Sequence, residues 1–201
     1  MADKPTIEIF RRKDAEDFTK ALSDPESRTA VGSGAAMTAA VAAAYLRRAA
    51  ALTAAELPEN ERAQYIERNS GILREYMVRL IDEDVKCRGP LRRAIKENDA
   101  RAIEAAHQPA VAITQEIVCM MTQCLNLADE LAGLAAGEGR TYIAAAAEQA
   151  MGAIRAAIHY TVAMSRECED ETYRFVIRRE NEMTLEQYVP VYESILQKTT
   201  D

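Results

Sequence analysis

Apolar residues recur along most of the chain at the three-and-four spacing of a single helix face, and no run alternates with the two-residue rhythm of a strand. Residues 14–22 place Ala15, Phe18, Ala21 and Leu22 on one side, which predicts a short amphipathic helix stopped by Ser23-Asp24-Pro25. Residues 35–57 are nearly continuous alanine with Met37, Val41, Tyr45, Leu46 and Leu52 interspersed. Alanine favours helix and lets backbones approach closely, so this segment reads as a central, largely buried helix ended by Pro58. A stripe of Ile66, Leu73, Met77, Leu80 and Ile81 predicts the next helix over 61–87, with Gly89-Pro90 as its break and 91–106 as a more exposed segment. Residues 109–136 form a strongly apolar helix closed by Gly137-Glu138-Gly139. A second alanine helix follows over 141–164, then a charged continuation over 166–183. Thr184 with Gln187 fits a capping box for a last helix through 196.

Long helices with short breaks predict an all-α fold, an antiparallel bundle. The length of 201 residues suits one domain spanning 1–201. The alanine helices are too apolar and too small-sided for a thin monomeric bundle to cover, which predicts a homodimer whose interface uses them.

Composition narrows the function classes. With Lys and Arg at 25 against Asp and Glu at 32, the net charge of −7 supplies no general field for phosphate backbones or anionic lipid, so neither nucleic acid nor membrane is expected as a partner. Met1-Ala2-Asp3-Lys4-Pro5 has no basic region leading into an apolar run, and charged residues interrupt the apolar stretches before spanning length, which together predict a cytoplasmic protein. Cys87, Cys119, Cys124 and Cys168 form no C-x-x-C pair and read as buried thiols, with no metal site among them.

Two constellations could carry chemistry. Gly32, Ser33 and Gly34 stand immediately before the first alanine helix, where freed backbone amides and a hydroxyl can hold an anion or a carbonyl oxygen. Asp82-Glu83-Asp84 collects three carboxylates near a helix end, where the helix dipole disfavours negative charge. Asp84 lies three residues from Ile81 and four from Leu80, so it faces inward, whereas Asp82 is expected on the solvated side. His107 and His159 have no paired acid in sequence, and Tyr142 and Tyr160 read as packing residues.

The order of these features resembles the formiminotetrahydrofolate cyclodeaminase and methenyltetrahydrofolate cyclohydrolase family over residues 7–179, most specifically at Gly32-Ser33-Gly34-Ala35-Ala36-Met37 and at 80–85. The resemblance implies an all-helical homodimer that binds a folate-type small molecule and needs no cofactor beyond a tetrahydrofolate substrate. It implies Asp84 as the catalytic carboxylate and Gly32, Ser33 and Gly34 as substrate-binding residues.

Three departures bear on activity. The family's proline followed by several glycines is here Thr29-Ala30-Val31-Gly32-Ser33-Gly34. Its lysine run after Leu52-Thr53 is replaced by Ala54-Ala55-Glu56-Leu57-Pro58, which removes a basic contact to an anionic substrate. Its Ser-Asp-Ala-Gly stretch is replaced by Gly139-Arg140-Thr141-Tyr142-Ile143-Ala144, without an acidic residue. Two function classes therefore stand: a folate one-carbon enzyme with retained, altered or lost activity, and a non-catalytic helical dimer binding another small molecule or a protein.

Overall fold

Alanine sets the architecture. In a computed structural model that describes residues 9–200, the helix α2 (Val31–Glu56) lies at the centre, with Ala35, Ala36, Ala39, Ala40, Ala42, Ala43, Ala49 and Ala50 all buried. It packs on α3 (Glu61–Glu97) and α5 (Gly137–Ser165) and touches α4 (Ala100–Ala132). The α1 helix (Ala15–Ser23) precedes it, and α6 (Glu171–Thr200) packs against α4 and α5. Among the described residues there are six α-helices, one short 3-10 turn at Phe10–Arg12, and no strand. The readings on Met1 to Pro5 and on Ile7 fall outside the described residues.

Short connections force neighbours to run antiparallel, and side-chain ties record it. Arg62 at the start of α3 reaches Glu130 at the end of α4, at 2.6 and 2.9 Å. His107 near the start of α4 meets the Met164 carbonyl at the end of α5, 2.9 Å away. The two alanine helices approach so closely that a Cβ on Gly139 would lie 3.6 Å from Thr53 Oγ1 and 3.9 Å from the Ala49 carbonyl. By contrast α6 runs parallel to α4, tied by Asn126 to Tyr188 and by Asp129 to Lys198.

Several predicted boundaries are corrected. Gly89-Pro90 does not end α3, although a helix-interior proline removes a hydrogen bond and costs about 3 kcal/mol. Leu91 beyond it is buried with Ala110, Val111, Met164 and Ile177 in a second apolar cluster, Ala94 is buried as well, and this burial carries the helix through. The break falls instead at Asn98, whose φ of 53° closes α3, while Asp99 caps α4 by accepting from the Ala102 amide at 3.0 Å. Pro109 consequently lies inside α4. Gly137, Glu138 and Gly139 form the first turn of α5 rather than the tail of α4. Thr184 caps nothing: its hydroxyl donates to the Glu180 carbonyl at 2.9 Å within a continuous α6, and the real start is Asp170, accepting from the Tyr173 amide at 3.0 Å.

The charge-interruption argument also fails for α4. Glu116 is the only charged residue between positions 110 and 128, and by length and composition α4 is long and apolar enough to cross a membrane. Half of its most apolar stretch is buried within the bundle, as in the core helix of a globular fold. The cysteine reading holds for Cys124 and Cys168, whereas Cys87 is half-buried and Cys119 exposed. Burial pushes the Cys87, Cys124 and Cys168 thiols up, Cys124 to about 12, which disfavours their thiolates.

Candidate functional site

The amino-terminal turns of the two alanine helices differ from the others in the bundle. Asp14, Asn60, Asp99 and Asp170 cap α1, α3, α4 and α6 through their side chains. Ala30 before α2 and Ala136 before α5 offer no side-chain acceptor. The sequence places Gly32, Ser33 and Gly34 in a turn ahead of the helix, but α2 begins at Val31 and all three lie in its first turn. Their amides point along the axis, at the positive end of a long helix dipole.

Asp84 of α3 meets that end. It is fully buried, on the inward side that its spacing from Ile81 and Leu80 predicts. The Ser33 hydroxyl donates to Asp84 Oδ2 at 2.7 Å and lies 3.3 Å from the Ile81 carbonyl. Gly32 is pressed so tightly against the carboxylate that a Cβ there would lie 2.1 Å from Oδ1 and 2.6 Å from Cγ. Oδ1 itself has no hydrogen-bond partner among the described residues. Gly34 turns elsewhere, and a Cβ on it would touch only Leu22, at 3.7 Å. The structure thus brings together Gly32, Ser33 and Asp84, and leaves Gly34 outside the cluster.

Two further residues, Arg88 and Tyr160, complete the group. Arg88 lies one turn beyond Asp84 on α3, its guanidinium carbon 5.2 Å from the ring centre of Tyr160 on α5. Its Nη1 is buried without a hydrogen-bond acceptor among the described residues. An orphan donor and an orphan acceptor in one buried cluster are costly, and a ligand supplying both partners would relieve the cost. Burial pushes the Asp84 carboxyl above the usual range, opposed by the Ser33 hydroxyl and then by the Arg88 charge. Burial likewise pushes the Tyr160 hydroxyl up to about 12, with Arg88 favouring the phenolate and Asp84 opposing it. Tyr160 is therefore neutral at physiological pH. The four-residue spacing of Asp84 and Arg88 on one helix face was the available sequence signal for Arg88. Nothing local marked Tyr160, which arrives from another helix.

Asp82 is a correction. It is buried rather than solvated, because the 3-10 turn at the amino-terminal end lies across it. Its Oδ1 accepts the Phe10 and Arg11 amides at 2.8 and 3.2 Å, and Oδ2 pairs with Arg11 Nε at 3.2 Å. Asp82 thus clasps the amino-terminal segment to α3. His107 is buried against Tyr173, while His159 is exposed on α5. Among the described residues no three His, Cys, Asp or Glu side chains gather as metal ligands do.

A family model described as formiminotransferase-cyclodeaminase matches residues 14–183. The chain belongs to that family. Among solved structures it resembles a formiminotetrahydrofolate cyclodeaminase from Thermotoga maritima, with a TM-score of 0.84 at 16% identity, over 94% of this chain and 96% of that one. At that identity the likeness establishes a shared cyclodeaminase fold. No curated protein matches the sequence significantly. Within the cyclodeaminase family frame, the Gly32, Ser33 and Asp84 cluster occupies the two stretches on which the resemblance rested, now joined across α2 and α3.

Proposed function

We propose that this cyclodeaminase-family protein binds a tetrahydrofolate derivative at the junction of α2, α3 and α5 and acts on its one-carbon unit, by cyclohydrolase or cyclodeaminase chemistry. The observation that carries the reading is the buried Asp84 carboxylate, gripped by Ser33 against Gly32 with one oxygen unpartnered, beside the unpartnered Arg88 nitrogen. Hydrolysis of a methenyl bridge adds water to a cationic amidinium carbon. A carboxylate held in a dry pocket both faces that cation and takes the proton from water as the carbon–nitrogen bond opens. In ring closure of a formimino group the folate amine attacks and ammonia leaves, which again requires a proton acceptor and a donor. Asp84 fills the first role and Tyr160 the second, while Arg88 offers donors to a carbonyl or carboxylate of the ligand.

The test is direct: the full chain with 5,10-methenyltetrahydrofolate, followed by loss of near-ultraviolet absorbance, and with formiminotetrahydrofolate, followed by ammonia release. The reading expects one rate above the spontaneous background, and it fails if neither rises and neither compound shifts the melting temperature. A homodimer is part of the proposal. Met37, Val41 and Tyr45 form a partly exposed stripe on α2, and Tyr45 lies 6.0 Å from Tyr142 of α5, so the two alanine helices present one apolar outer face. The protein should size at twice its 22.2 kDa chain mass, and a folded monomer at nanomolar concentration would refute the dimer.

One observation favours the second reading, a non-catalytic helical binding protein. Asp84 has no solvent-exposed surface, and it supplies α2 with the side-chain acceptor that Ala30 lacks. In that reading Asp84 is a cap contributed by a neighbouring helix, and its replacement would change stability rather than turnover.

A further inference from the structure

Proline stands inside both α3 and α4, and the two lie abreast. Pro90 and Pro109 each sit roughly 12–15 Å from the turn at Asn98, at a helical rise of about 1.5 Å per residue. Both line one groove of about 480 Å³ between the helices, together with Cys87, Ala94, Ala102 and Ala106. Each proline lacks the amide its helix would use, which leaves the Lys86 carbonyl on α3 and the Ala105 carbonyl on α4 without their ladder bonds. Gly89 beside Pro90 adds no packing, since a Cβ there would meet nothing within 4 Å. One missing bond bends one helix, but two at the same height give an antiparallel pair a common bending line.

Beyond that line, residues 91–108 pack as a unit of their own. Leu91 is buried with Ala110, Val111, Met164 and Ile177 in a cluster separate from the core around α2, and Ile103 and Ala106 pack against the same cluster. Side chains latch this arm to its surroundings. His107 Nε2 donates to the Met164 carbonyl at 2.9 Å, Cys168 Sγ donates to the Glu104 carboxylate at 3.4 Å, and Arg92 Nη1 donates to the Ser27 carbonyl at 3.1 Å. A small unit with its own core opens at a lower free energy than the main core does. The arm also borders the Asp84 cluster: Tyr160 packs on the second cluster, and Arg88, two residues before Pro90, holds its guanidinium 5.2 Å from the Tyr160 ring centre. Asp84 itself has no exposed surface, so a ligand meets its carboxylate only after something moves.

We infer that residues 91–108 form a hinged arm that bends at Gly89-Pro90 and Pro109 and, by swinging away from Tyr160, opens the sealed Asp84 cluster to its ligand. The bend draws Leu91 and Ile103 off the second cluster and Arg88 off the Tyr160 ring, which uncovers the carboxylate from the α5 side. This gating rests on the proposed function only in that the Asp84 cluster takes a ligand, and it holds whichever one-carbon reaction follows.

The chain's own thiols test it. Cys168 is buried under the arm against Glu104, and Cys124 is buried in the main core. The folded full chain is labelled with N-ethylmaleimide and followed thiol by thiol by peptide mass, each rate being divided by that of the same thiol in the urea-unfolded chain. Cys168 should label at least about tenfold faster than Cys124. The double variant Pro90→Ala, Pro109→Ala restores both ladder bonds and should slow Cys168 by at least about tenfold. In a Ser33→Cys variant, the thiol placed beside Asp84 should label at the pace of Cys168 and slow with it when both prolines are replaced. Amide exchange of the Ser33 segment in the unmodified chain, with and without the two prolines, makes the same comparison if Ser33→Cys does not fold. Cys168 no faster than Cys124, or indifferent to the prolines, overturns the hinge, and position 33 following Cys124 rather than Cys168 overturns the gate. No folate enters the experiment, so its failure leaves the proposed chemistry standing, and a lack of turnover leaves the hinge standing.

Discussion

Replacing Gly32 with alanine is expected to destabilise the protein by about 3 kcal/mol, since of the glycines it alone would set a Cβ under 3.0 Å from another atom. The new Cβ would fall 2.1 Å from Asp84 Oδ1, 2.6 Å from Cγ and 3.0 Å from Oδ2, a distance set that no real side chain tolerates. Either α2 shifts away from α3 or the carboxylate rotates, and rotation breaks the 2.7 Å bond from Ser33. Overpacking costs about 1–3 kcal/mol and loss of the charge-assisted bond about 1.5–3 kcal/mol, offset by about 1 kcal/mol of better helix propensity. For a chain of this size the melting temperature should drop by roughly 6–12 °C. Gly34→Ala is the internal contrast, since its Cβ would meet only the Leu22 methyls at 3.7 Å and keep the propensity gain. Urea unfolding of both variants decides the matter. Equal midpoints would show that Asp84 is not pressed onto the first turn of α2.

Asp84→Asn should lower kcat/KM for the methenyl or formimino substrate by at least about 100-fold while leaving the fold intact. Asparagine keeps an oxygen for the Ser33 hydroxyl and fits the same volume, so only the charge and the proton-accepting capacity are lost. The sign of the stability change separates catalysis from capping. Burial raises the Asp84 carboxyl in the folded state, so its contribution is fully present when the group is protonated and is lost as pH rises through the folded value. Wherever the group is ionised in the fold it is therefore a burden, and Asp84→Asn should be as stable as the parent or more so at neutral pH. Its advantage over the parent should shrink as pH falls into the ordinary carboxylate range. A variant that is instead markedly less stable at neutral pH, with turnover per folded molecule unchanged, would identify Asp84 as the cap of α2. Asp82→Asn gives the opposite signature, a loss of about 1–2 kcal/mol, because its negative charge holds two backbone amides and Arg11.

Periodicity and composition alone determined the helical class, the central position of the first alanine helix and the inward face of Asp84. Each is a property of one segment. Alanine at eight buried positions of α2 leaves a helix nothing to do but pack closely, and three-and-four spacing from Leu80 and Ile81 fixes the side on which Asp84 stands. The family resemblance was legible for the same reason, since both stretches that carry it are local.

Tertiary structure decided everything that required two segments at once. Pro90 reads as a breaker until Leu91 finds the second apolar cluster and Ala94 is buried with it on the same helix, because burial outweighs one missing hydrogen bond. Asp82 reads as solvated until the Phe10–Arg12 turn folds across it, since an exposed helix face and one covered by a distant turn look alike in sequence. The cluster around Asp84 draws Gly32 and Ser33 from α2, Arg88 from α3 and Tyr160 from α5. A sequence records which residues are available, but distances between segments, and the desolvation that gives a carboxylate its chemistry, exist only once the helices have packed.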